Sequence, residues 1–125
     1  MNNTSRIMSQ ADLIFESRPA IQYVATIDYS NKVIECKGRG KFALARTQEK
    51  IREFVSIGPL LVIGALGHKL EVSCGRLGFV VGRFEQALVV IYQLRTEMVV
   101  LVTTIIEMDE LEEIARFLDT MNKKG

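Results

Sequence analysis

The chain has 125 residues, 48% of them apolar and 25% charged, and a net charge of +1. That length suits one domain, residues 1–125, burying roughly two-thirds of its unfolded surface. Near-neutrality leaves no global field to draw it onto nucleic acid or an anionic membrane.

Membrane and secretory signals are missing from the sequence as well. The uncharged apolar run Ile57 to Gly67 falls short of the about 20 residues that span a bilayer, and the region Ala87 to Ile106 is broken by Arg95 and Glu97. Met1 to Gln10 is polar, unlike a signal peptide. Cys36 and Cys74 form no CxxC pair; reduced thiols are expected, with one bridge between them as the alternative. A cytoplasmic protein without membrane insertion is the expectation.

In chain order, the first expected element is a helix. Ser9-Gln10-Ala11-Asp12 would serve as its cap, but the spacing of Ile7, Ala11, Ile14 and Phe15 starts it earlier, near Thr4 or Ser5. Pro19 stops it, because a proline pushes the preceding residue out of helical backbone. Tyr23 to Ile27 reads as a strand, Asp28 to Lys32 as a turn with Asn31 at a left-handed position, and Val33 to Cys36 as the returning strand. A loop, Lys37 to Ala45, leads to a helical segment from about Thr47, with Ile51, Phe54 and Val55 on one face. Gly58-Pro59 kinks or interrupts it. Helix resumes from Pro59 to about Ser73 with Gly75 just past its end, although Leu60 to Ile63 suits a buried strand equally.

Three strands follow: Leu77 to Phe84, Ala87 to Leu94 and Met98 to Ile106. Their connections are short enough only for antiparallel neighbours. In the last helix Asp109 is the expected cap and Glu112 completes a capping box, with Leu111, Ile114, Ala115 and Leu118 as the apolar stripe. Glu110 and Glu113 at its start and Lys123 and Lys124 at its end suit the helix dipole.

The order is therefore α-β-β-α-β-β-β-α, an α+β chain. Leu88-Val89-Val90-Ile91 and Val99-Val100-Leu101-Val102 do not alternate between apolar and polar, so both faces of those strands must be covered. The first and third helices can share one face, which leaves the middle helix for the other.

This layout resembles the roadblock/LC7 family within the profilin-like and longin-like group, from about Ile7 to Met121. The resemblance rests on the hairpin Ile21 to Asp28 and Lys32 to Glu35, the middle helix, and the closing block of three strands and a helix. Leu77-Gly78 and Arg83 are also similar to a short archaeal family of the same layout. Many roadblock members carry glycine in the first hairpin turn, where this chain has Asn31-Lys32. The resemblance implies a five-stranded antiparallel sheet of order 2-1-5-4-3. It also implies a non-enzymatic protein that dimerises through its edge strand and middle helix and serves as a platform for small GTPases or larger complexes.

Two features of the residues agree with that role. Leu60 to Leu66 is apolar nearly all round, more than a helix on one sheet face needs. Gly78 and Gly82 weaken a central strand but suit an edge. Leu60, Leu61, Ile63, Leu66, Gly78, Val80 and Gly82 are the expected dimer or partner surface, with Ile63→Glu expected to give a monomer or an insoluble protein.

The remaining chemistry is sparse. His68 lacks metal partners at ligand spacing, and Cys74 sits at the negative end of a helix dipole, which does not activate a thiol. Lys37, Arg39 and Lys41, interleaved with glycines and followed by Arg46, form a candidate anion-binding loop. No GxxxxGK[ST] or GxGxxG pattern supports a nucleotide, and no aromatics interleave for nucleic acid. Glu107 to Glu113 is explained by a helix start. Met8, Met98, Met108 and Met121 are core fillers. No cofactor is implied, and no convergent acid–base pair for an enzyme can be assembled. The rival reading is a sensor domain like PAS or GAF, with Phe79, Phe84 and Tyr92 lining a small-molecule pocket.

Overall fold

The computed structural model describes residues 9–30, 32–43, 53, 58–59, 61–64 and 70–124. Its first helix, α1 (Gln10–Ser17), starts at a capping box in which Ser9 Oγ accepts from the Asp12 amide at 3.1 Å and the Asp12 carboxylate accepts from the Ser9 amide. Ser9 has extended backbone. The start near Thr4 or Ser5 is thus corrected: the side chain that satisfies the free amides sets the boundary, not the apolar spacing. At the other end Arg18 is extended ahead of Pro19, as the restriction before proline requires.

The strands are β1 (Ile21–Asp28), β2 (Val33–Gly38), β3 (Phe79–Arg83), β4 (Leu88–Gln93) and β5 (Glu97–Thr103). They form one antiparallel sheet of order β2-β1-β5-β4-β3, as the resemblance implies. Between β1 and β2 the Asp28 carboxylate accepts from the Ser30 and Lys32 amides at 3.0 Å each, and so shapes the turn; Asn31 lies outside the described residues. Two boundaries differ from expectation. Lys37 and Gly38 belong to β2 rather than to the following loop, which instead opens into a 3-10 turn at Gly40–Phe42 with Gly40 at φ 57°. Leu77 and Gly78 precede β3 and are not part of it.

Residues 58–59, 61–64 and 70–74 are helical, so the middle of the chain is helix and not strand. Gly75 has φ 83° and donates to the Glu71 carbonyl at 2.8 Å, the left-handed stop expected just past the helical residues. Gly58 and Pro59 both carry helical backbone. The segment from Thr47 with Ile51, Phe54 and Val55 lies outside the described residues.

The C-terminal helix (Met108–Lys124) begins one residue before Asp109. The Glu107 carbonyl accepts from the Glu110 and Leu111 amides at 3.1 Å each. Asp109 is therefore a first-turn acid and not the cap, a correction of one or two residues; its charge still suits the positive end of the dipole.

Two cores flank the sheet. Ala11 and Ile14 of α1, with Leu111, Ile114 and Leu118 of the C-terminal helix, pack on Ile21, Val24, Val90, Tyr92, Val99 and Leu101. Ile63, with Val62 beside it, packs on the opposite face against Tyr23, Ala25, Ile27, Ile91, Met98 and Val100. The uninterrupted apolar runs of β4 and β5 are thereby covered on both faces, and each buried isoleucine or leucine contributes about 1.5–3 kcal/mol.

Candidate interaction surface at the sheet edge

Strands β2 and β3 are the two ends of the sheet. On β3, the Gly78 carbonyl accepts from Gln93 N–H at 3.1 Å and Phe84 N–H donates to the Ala87 carbonyl at 2.8 Å. Narrow antiparallel pairs recur every second residue, so Gly78, Val80, Gly82 and Phe84 turn their main chain toward β4. The amides and carbonyls of Phe79, Val81 and Arg83 point the other way, into the open edge.

The side chains along this edge are apolar and uncovered. Phe79 and Val81 are 37% and 36% exposed, and Phe84 is 61% exposed. Phe79 stacks on Tyr92 with ring centroids 5.7 Å apart, which holds its ring at the end of the core. Phe79, Val81 and Arg83 lie on the face of α1 and the C-terminal helix, opposite Tyr92, Val90 and Leu88. Val80 and Gly82 lie on the face of the middle helical residues, where Val80 packs beside Ile91.

The residues expected to form a partner surface divide. Leu61 is 66% exposed, whereas Ile63, at 9%, belongs to the protomer's own core. Ile63 is thus not an outward residue, and Ile63→Glu would bury a charge instead of probing an interface. Gly78 and Gly82 have open space around them; only Phe84 Cε1, 3.7 Å from a notional Cβ, and the Val89 carbonyl oxygen approach Gly82. Leu60 and Leu66 lie outside the described residues. Sequence reasoning missed Phe79, Val81 and Phe84 as edge groups and Leu70 and Val72 as exposed apolar residues, the last 97% exposed. The signal available was the apolar residue on each side of Gly78 and Gly82.

The basic loop is placed differently from a convergent cradle. Lys37 Nζ is paired with the Asp12 carboxylate, and that ammonium holds the Asp12 carboxyl below its ordinary range. Arg39 donates from Nε to the Ile21 carbonyl and from Nη2 to the Phe15 carbonyl, both at 2.9 Å. Lys41 Nζ lies 5.6 Å from the Phe42 ring centroid. Arg46 and His68 lie outside the described residues. Cys36 is a packed neighbour of Tyr23, whose phenol is pushed above its ordinary range by burial first and by Cys36 second. Cys74 is exposed.

At the far corner of the sheet, Glu97 and Asp28 are cross-strand partners. Burial, then the charges of Asp28 and Glu35, raises the Glu97 carboxyl above its ordinary value. The aromatic residues that a sensor pocket would use do not converge: Tyr92 is buried with its hydroxyl donating to Asp119, Phe79 covers it from the edge, and Phe84 stands in solvent.

No protein-family model and no curated protein matches the sequence. Solved structures do match. MglB of Myxococcus xanthus superposes with a TM-score of 0.65 at 11% identity, over 92% of this chain and 93% of that one. A roadblock/LC7 domain from Streptomyces avermitilis gives 0.62 at 9% identity, over 89% and 87%. The chain has the roadblock/LC7 fold. The gliding protein MglB of Thermus thermophilus gives 0.59 at 15% identity, over 92% and 87%. These identities establish the roadblock architecture, with β3 as its open end. Among the described residues no helix is long and apolar enough to cross a membrane.

Proposed function

We propose that this roadblock-fold chain is a non-enzymatic, homodimeric regulatory or scaffold module. It engages further protein through its sheet edge and middle-helix face, with a small GTPase or a larger complex as the partner class. One observation carries the reading: an unpaired edge strand whose free main-chain groups sit among exposed apolar side chains, with Leu61 exposed on the helical layer. Such an edge is a template for another chain, and an apolar patch of this kind is covered in most proteins. An MglB structure described as a tetrameric arrangement, matched at 15% identity with a TM-score of 0.58, is consistent with self-association on this fold.

Solution mass by light scattering at micromolar concentration tests the proposal. A dimer of the 14.1 kDa chain is expected, and Leu61→Glu should shift it toward monomer with an unchanged circular dichroism spectrum. A monomeric wild-type protein that encloses an empty apolar cavity would favour the sensor reading instead.

A further inference from the structure

The open edge of β3 carries a self-complementary pattern. Its ladder with β4 runs from Gly78, through the Gly78 carbonyl, to Phe84, through the Phe84 amide, and Val81 is the midpoint. We infer that two copies of the chain pair through β3 in one antiparallel register, with the twofold axis at Val81. The inference rests on the self-association proposed above and adds its geometry.

In that register Val81 faces Val81 of the second copy, and the outward amides and carbonyls of Phe79 and Arg83 exchange hydrogen bonds across the axis. Every remaining pair then joins unlike residues. Val80 lies opposite Gly82, and Gly78 lies opposite Phe84. Both glycines have open space where a side chain would stand, and Phe84 is 61% exposed, so each bulky group meets a vacancy instead of another bulky group. A large side chain across from a strand glycine restores the packing that the glycine forfeits. Arg83 lies opposite Phe79, within reach of its ring face, and away from the other Arg83.

Other twofold registers lose these matches. An axis at Val80 sets Gly78 against Gly82, leaving a gap with no side chain on either strand. An axis at Gly82 pairs glycine with glycine and sets Phe79 against Glu85. An axis at Arg83 brings two guanidinium groups together, and like charges directly opposite are unfavourable.

Disulfide trapping reads the register directly, since paired residues of an antiparallel ladder have Cα atoms about 4.5–5.5 Å apart, within disulfide range. In a full-length Cys36→Ala, Cys74→Ala background, Val81→Cys, Val80→Cys and Gly82→Cys are each oxidised mildly, alone and mixed. Val81→Cys is expected to become mostly a covalent dimer by itself. Val80→Cys and Gly82→Cys should cross-link only when mixed with each other. Efficient linkage of Val80→Cys alone, or of Gly82→Cys alone, would overturn the register while leaving self-association intact. A non-covalent dimer that none of the variants traps would show that the copies meet elsewhere. A monomer by light scattering in the same background would remove both the register and the homodimer beneath it.

Discussion

The guanidinium of Arg39 lies over the ring of Phe15, 4.0 Å from its centroid, while donating to the carbonyls of Phe15 and Ile21. One side chain thus ties the end of β2 to α1 and to the start of β1. Charge-assisted hydrogen bonds contribute about 1.5–3 kcal/mol each at most, and the ring contact about 0.5–1. Arg39→Ala is expected to cost roughly 2–4 kcal/mol in urea denaturation, allowing for non-additivity. Arg39→Lys should recover less than half of that, because an ammonium cannot fork to two carbonyls and lie flat on a ring.

Gly38 makes a sharper demand on its neighbourhood. A Cβ there would lie 2.0 Å from the Phe42 carbonyl oxygen, which is backbone and cannot swing aside. Gly38→Ala should destabilise the fold by about 2 kcal/mol or more, in the range of strained overpacking. Gly75→Ala should cost about 1–2 kcal/mol through its positive φ alone, since nothing stands near its Cβ. Thermal melts of the two variants side by side separate the clash from the backbone effect.

Leu61 and Ile63 separate interface from core. Ile63→Ala is expected to cost roughly 2–4 kcal/mol of stability, as truncations of buried isoleucine do, with the oligomeric state retained. Leu61→Glu should leave the protomer folded and act on mass alone. Sedimentation velocity and chemical denaturation on both variants check the pair; a Leu61→Glu protein that fails to fold would place Leu61 inside the core.

Stability should depend on pH through Glu97. Its folded carboxyl is raised above 4.5 by burial and by Asp28 and Glu35. Between the unfolded and folded values the native state holds more protons, so stability falls as pH rises through that window and stays reduced above it. Glu97→Gln is therefore expected to melt higher than wild type at pH 7 and equally at pH values below the unfolded value. Asp12 has the opposite sign: its lowered carboxyl contributes stability above 3.8 that is lost as pH falls through the folded value. Lys37→Met should flatten that acid limb.

Much of the architecture was legible in the residues because it follows from local rules. Pro19 ends α1 and Gly75 ends the middle helical residues for backbone reasons that no tertiary contact can override. The unbroken apolar runs of β4 and β5 required cover on both faces, and the two cores supply it. Chain pattern could not decide between Ser9 and an earlier start for α1, since apolar spacing continues past a cap. Nor could it place Ile63 inward and Leu61 outward, because a segment apolar all round has no preferred face until a sheet is set beneath it. The fate of the basic loop was likewise tertiary. Lys37 and Arg39 look like free cations in sequence, and only the fold brings Asp12, Phe15 and two carbonyls within their reach.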